Sequence, residues 1–270
     1  MKINVFVLAI LLSTFNLLIG QNGNYWQETS ENLIPTKKSP LEIQQPAEAK
    51  YFKLDFKKLK NALKDAPMEN TGSANELVLS FPIGDGSIEK FKVVESPVMA
   101  PKLASKYPNI KTYRGAGIDN PLHSIHFDYT LNGFHGSIST PEGMIYIDPF
   151  TKGSGDFCII YNTSNLSKPD ESKTPPLDCG VTADFLLEQE SKVEKKEKQE
   201  THLRSAQTPV LLKVYRLALA CTGEYAQQKG GTLEDVNASF ATALNRVNQI
   251  FQSEVAVKLE LIEDNDRLVF

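Results

Sequence analysis

The run Thr174-Pro175-Pro176-Leu177-Asp178-Cys179-Gly180-Val181-Thr182 holds one thiol in a Pro-led segment immediately before a glycine. The two prolines fix φ at about −65° and keep the approach extended, while Gly180 lets the backbone turn away without a Cβ clash. The sulfur is thereby pushed outward. A thiol presented in this way suits plugging an open metal site. The competing use of a cysteine in an exported chain is a disulfide. Cys158, Cys179 and Cys221 leave an odd thiol even if two of them pair.

Pro176-Leu177-Asp178-Cys179-Gly180-Val181-Thr182 resembles the Pro-x-x-Cys-Gly-Val cysteine switch of reprolysin/adamalysin-like (metzincin) zinc metalloprotease precursors. The resemblance implies an inhibitory role for Cys179 and Gly180, with the Cys179 thiolate bound to zinc only in a full-length latent precursor. Catalytic zinc keeps three protein ligands and one open position, and a thiolate binds it at about 2.3 Å, so a tethered cysteine displaces the attacking water. Four further tags are similar to the pro-regions of bacterial secreted reprolysin-like proteases: Tyr51-Phe52-Lys53-Leu54-Asp55, Glu95-Ser96-Pro97-Val98-Met99-Ala100-Pro101, Lys111-Thr112-Tyr113-Arg114-Gly115 and Tyr146-Ile147-Asp148-Pro149.

Such proteases need His-Glu-x-x-His on a helix, two imidazoles one turn apart for the metal and a glutamate as base. The sequence has no such run, and its last histidine is His202. The zinc ligands are therefore expected elsewhere in a longer product, and no catalytic residue is assigned in this chain. His123, His126 and His135 are not expected to share an ion, because strand positions three apart point to opposite faces. They are expected to line a half-exposed sheet. Gly-x-Ser-x-Gly, P-loop and Cys-x-x-Cys motifs are also missing.

Several elements must position that thiol. Residues 1–20 carry Lys2, an apolar run and then polar residues, the pattern of a secretory signal peptide. Ser13, Thr14 and Asn16 interrupt the run, which argues against a stable membrane span of about 20 apolar residues. The expected location is extracellular or periplasmic. The chain has 270 residues, 41% of them hydrophobic, and a net charge of −4. That content suffices for a packed core, and that charge provides no field for nucleic acid.

Residues 21–49 are polar with three prolines, an extended lead-in. Residues 51–56 alternate like a strand, and Phe56, Leu59, Ala62 and Leu63 share one helical face. The runs 76–82 and 88–95 flank Gly84-Asp85-Gly86 and predict a hairpin. Residues 97–111 read as a loop with a short helix near 103–107. Residues 123–129, 133–139, 144–148 and 157–161 continue an antiparallel meander. The β-rich pro-domain is assigned to 50–190.

Residues 191–207 form a charged linker, with Lys195, Lys196, Arg204 and Ser205 as candidate processing positions, because an exposed linker with few contacts is open to proteases. From residue 208 a new core begins. The nearly continuous apolar run 209–220 predicts a strand covered on both faces. Thr232 caps a helix whose stripe is Leu233, Val236, Phe240, Leu244, Val247, Ile250 and Phe251, running to about Gln252. Val255, Val257, Leu259 and Leu261 then alternate with Ala256, Lys258 and Glu260 as a second strand. Strand, helix and strand predict a parallel βαβ unit.

The fold expected is α+β, a mainly antiparallel β pro-domain followed by the incomplete βαβ opening of a metzincin-like α/β catalytic domain. The function expected is that of a truncated precursor of a secreted zinc-dependent endopeptidase, inactive as it stands and held latent by an intramolecular contact. Protein or peptide substrates are expected for the full-length enzyme only. A secreted non-catalytic binding protein, or a pro-domain acting as a folding chaperone, is the alternative. Asn162, Asn165 and Asn237 sit in Asn-x-Ser/Thr triplets.

Overall fold

The computed structural model of the chain describes residues 25–35, 46–72, 75–151, 154–166 and 211–270. Residues 1–20, Cys179, Gly180, Lys195, Lys196, Arg204 and Ser205 lie outside the described residues. Nine strands pair antiparallel throughout: Trp26–Thr29 (β1), Lys50–Leu54 (β2), Leu77–Pro82 (β3), Ile88–Glu95 (β4), Lys111–Gly117 (β5), Ser124–Thr130 (β6), Gly133–Thr140 (β7), Gly143–Thr151 (β8) and Ser154–Asn162 (β9). Their order is β1-β2-β9-β8-β7-β6-β5-β4-β3, so every neighbour from β3 to β9 is also a neighbour in sequence.

Period-two alternation separates the two faces of this sheet. On β6, Ile125, Phe127 and Tyr129 enter the main core, whereas His126, Asp128 and Thr130 face the other way yet are also buried. The main core is aromatic. Phe127 lies 4.9 Å from Phe81 and 5.0 Å from Tyr113 between ring centroids, and Trp26 lies 5.4 Å from Phe134. Each such pair contributes about 0.5–1.5 kcal/mol beyond its burial. The helix Phe56–Ala62 (α1) closes one end, capped by the Asp55 carboxylate, which accepts from Lys58 N at 2.9 Å, and anchored by fully buried Leu59.

Residues 211–270 build a smaller α/β region. Lys213–Leu217 (β10) and Val257–Leu261 (β11) pair in parallel, from Lys213 opposite Val257 to Leu217 opposite Leu261. Between them run Gly223–Lys229 (α3) and the 23-residue Leu233–Val255 (α4); Val255 closes the helix instead of opening the second strand, because Ala256 ends α4 in the left-handed region at φ +52°. Thr232 caps α4 by accepting from Asp235 N at 3.1 Å, and Gly230, at φ +134°, leaves room that a Cβ would take from the Asp235 carboxylate at 2.5 Å. A second core joins Val236, Phe240, Leu244 and Leu261 to Val98, Met99, Leu103 and Ile110, which come from the connection between β4 and β5. That connection holds the short helix Pro101–Lys106 (α2).

Three elements escape the sequence pattern. Strand β1 lies in the polar lead-in, yet Tyr25 and Trp26 bury against the main core. Strand β5 carries Gly115 and Gly117 and only one aromatic or large apolar residue, which lowers its propensity. Gly115 is used for close approach, since a Cβ there would sit 3.0 Å from Ile125 Cγ2 and 3.1 Å from the Lys92 carbonyl oxygen. Helix α3 starts on a glycine and ends at Gly230-Gly231, which disguises it as a loop.

Burial differs from expectation in three further places. β10 is not covered on both faces: Val214 and Tyr215 are 57% and 51% exposed, and among the described residues β10 pairs only with β11. On α4 only three of the seven residues of the expected stripe are buried. Val236, Phe240 and Leu244 reach the second core, whereas Leu233, Val247, Ile250 and Phe251 are exposed and the polar Asn245, Asn248 and Gln249 are buried instead. The histidines do not line a half-exposed sheet. His123 and His126 are buried, because α4 covers that face near β6 and Glu89 closes over His123.

Candidate functional site

The polar face of the sheet and one polar face of α4 meet in a buried network. Thr242, Asn245, Arg246 and Gln249 fall three or four residues apart, hence on one side of the helix. Each finds a partner on the sheet. Thr242 Oγ1 donates to Asp128 Oδ1 at 2.8 Å, and Asn245 Nδ2 donates to the Phe127 carbonyl at 2.9 Å. Gln249 Nε2 donates to the carbonyls of Ser124 at 3.0 Å and Ser137 at 3.2 Å, and its Oε1 accepts from Ser137 Oγ. Buried amides left unpaired would destabilise the fold, so this face of α4 is complementary to this sheet and to little else.

His126 is fixed by the same logic. Because Asn245 Nδ2 is already a donor, its Oδ1 accepts, and His126 Nδ1, 3.2 Å away, must carry the proton. Burial pushes the imidazole down to about 4, against the opposing pull of the Asn245 hydrogen bond, so the ring is neutral at neutral pH. His135 lies 3.4 Å from the Asp128 carboxylate without hydrogen-bond alignment, and His123 Nδ1 lies 2.7 Å from Glu89. The three rings thus have three separate partners.

One half-buried and one buried ion pair frame the contact. Arg246 pairs with Asp148, whose other oxygen accepts from Tyr161 OH at 2.9 Å, and the guanidinium stacks 4.5 Å from the Tyr146 ring centroid. Lys258 on β11, one of the polar residues in the strand alternation, is buried and pairs with Glu69. Glu69 also accepts from Ser96 Oγ at 2.8 Å and Arg114 Nε at 3.1 Å. Burial alone would raise the Glu69 carboxyl; the hydrogen bond and charge of Lys258, helped by Ser96 and Arg114, outweigh it and hold the group below the usual carboxylate range.

The connection between β4 and β5 completes the contact through its backbone. Leu261 N donates to the Val98 carbonyl at 2.8 Å, and Ala100 N donates to the Leu261 carbonyl at 2.9 Å, so residues 98–100 extend the edge of β11. Beside them, Asn248 satisfies both backbone groups of Leu259, at 2.7 and 2.8 Å. Sequence patterning missed this network because it sought apolar stripes. The available signal was the spacing of Thr242, Asn245, Arg246 and Gln249 on an otherwise amphipathic helix.

Cys158 and Cys221 both carry free thiols. Cys158 is fully buried in the main core, and burial raises its thiol well above the ordinary range, so it is an inert core residue. Asn237 is fully buried and donates to the Leu233 carbonyl at 2.7 Å, which removes it from the exposed acceptor triplets. Among the described residues no group of three His, Cys, Asp or Glu side chains is placed to hold a metal ion, so these residues do not fit a zinc cage. No described helix is long and apolar enough to cross a membrane.

Residues 211–269 match the family model of the reprolysin-like metallopeptidases of family M12B. No curated protein matches the chain. The matched stretch spans β10 to β11, including the polar face of α4 and Lys258. It is similar to a protease family, which in general implies zinc and protein substrates.

Proposed function

We propose that the chain is the front of a secreted precursor of a zinc-dependent endopeptidase. Residues 25–166 serve as the core of its pro-domain, residues 211–270 open a metzincin-like α/β catalytic domain, and the Cys179 thiolate keeps the enzyme latent. The observation that carries this reading is the match of residues 211–269 to reprolysin-like metallopeptidases, in a stretch that the preceding β sheet grips through α4 and β11. Two free thiols, one sealed in the main core, are compatible with a Cys179 that is not committed to a disulfide.

In this reading residues 1–20 direct export, and a cut in 191–207, at Lys195-Lys196 or Arg204-Ser205, breaks the covalent link between the two parts. Zinc would supply the Lewis acid and the activated water of peptide hydrolysis. Its ligands are not among the described residues, and the contribution of this chain is to hold the protease region and to present one thiol. Replacing Cys179 by alanine in the intact precursor tests the idea. Premature proteolytic activity is the expected result, and unchanged latency would refute the switch.

A second reading is favoured by the buried amides of α4. Because Asn245 and Gln249 are satisfied only by sheet atoms, the β domain also supports the folding of residues 211–270. Refolding the protease region with and without the β domain separates the two roles. Latency without assisted refolding would remove the chaperone role.

A further inference from the structure

We infer that residues 25–166 and 211–270 remain bound to each other after the chain between them is cut, with residues 97–110 as the anchoring arm. The inference rests on the proposed cut in 191–207 and adds that this cut alone does not release the protease region. The arm leaves the nine-stranded sheet after β4 and returns to it at β5, and in between it serves the other core. Val98, Met99, Leu103 and Ile110 are each at most 4% exposed, and the rest of that core comes from residues 211–270.

The arm is held in three ways. Its backbone adds to the edge of β11 through the two hydrogen bonds between Leu261 and residues 98–100, the geometry of strand addition. Leu103 enters the second core with no exposed surface. On its outer side, Lys102 lies 3.3 Å from Asp264 and Lys106 lies 2.8 Å from Asp266. The buried network around Asn245, Gln249, Arg246 and Lys258 extends the same contact across the sheet. A core shared between two segments in this way behaves as an obligate interface, not as a surface encounter.

The sole tryptophan provides a separate reporter, since Trp26 belongs to the main core and none of the arm residues does. The full chain carrying a specific protease site within 167–210 is nicked and passed over a sizing column at micromolar concentration. Co-elution of the two fragments is expected, and two separated peaks would overturn the inference. Leu103→Asp, which puts a carboxylate in the second core, is expected to weaken the association by about 100-fold or more while Trp26 emission stays native. Wild-type association in that variant would overturn the anchoring role.

Lys102→Glu combined with Lys106→Glu changes only exposed side chains and so keeps the test decisive if Leu103→Asp does not fold. Setting these carboxylates against Asp264 and Asp266 is expected to weaken association about three- to tenfold. An unchanged dissociation constant would contradict the arm. None of these readouts needs metal or proteolytic activity, so failure here is distinguishable from failure of the protease reading.

Discussion

Replacing Glu69 by glutamine removes the carboxylate that holds Lys258, and it leaves an ammonium that is 5% exposed without its counter-charge. Breaking a buried pair from one side costs about 3–5 kcal/mol, because the remaining charge stays desolvated. Lys258→Met is milder. Glu69 then keeps Arg114 at 3.1 Å and Ser96 at 2.8 Å, so the loss is about that of one charged hydrogen bond, 1.5–3 kcal/mol. Urea unfolding of the full chain, followed by circular dichroism, measures both. The glutamine variant should be the less stable by about 2 kcal/mol, and the double replacement should cost less than the two single ones together.

The same pair has a defined pH window. Because the folded carboxyl of Glu69 is depressed, its contribution is complete above the unfolded value of about 4.3 and is lost as pH falls through the lower folded value. The advantage of wild type over Glu69→Gln should therefore shrink in acid and hold from neutral pH down to about 5. Equal losses in the two single variants, or losses within about 0.5 kcal/mol of zero, would refute a buried and coupled pair.

His126 adds an earlier acid limit: above pH 6.5 it is neutral in both states, and below that the unfolded chain takes up a proton that the native ring refuses until about pH 4. Stability should fall by about 3 kcal/mol across that interval, and His126→Asn should flatten the slope in thermal melts. Arg246→Ala should cost about 2–3 kcal/mol in the urea experiment, since it strands buried Asp148 with only Tyr161 and empties the Tyr146 face. Arg246→Lys should recover only part of that, because the planar stack is lost. Cys179→Ala should leave the unfolding transition unchanged while abolishing latency, a combination read by pairing denaturant melts with a peptide-cleavage assay.

Much of the β domain is legible in the sequence because strands with one apolar face announce themselves by alternation. The hairpin of β3 and β4 and the meander from β6 to β9 follow from turn residues such as Asn132-Gly133 and Pro141-Glu142-Gly143. The capped helix α4 and the parallel pairing of β10 with β11 also follow from local signals. What escaped is non-local. β5 forms because β4 and β6 supply partners on both sides, not because Lys111 to Gly117 prefers extension. Burial of Asn245, Gln249 and Lys258 depends on Phe127, Ser137 and Glu69, more than 100 residues earlier, and no window of sequence contains both sides.

X-ray absorption at the zinc edge, applied to the proposed full-length precursor, tests the proposed latency mechanism most directly. The account predicts one sulfur at about 2.3 Å in the zinc shell, replaced by a light atom at shorter distance in Cys179→Ala. A precursor without bound metal, or a zinc shell that contains no sulfur and does not change in that variant, would contradict it.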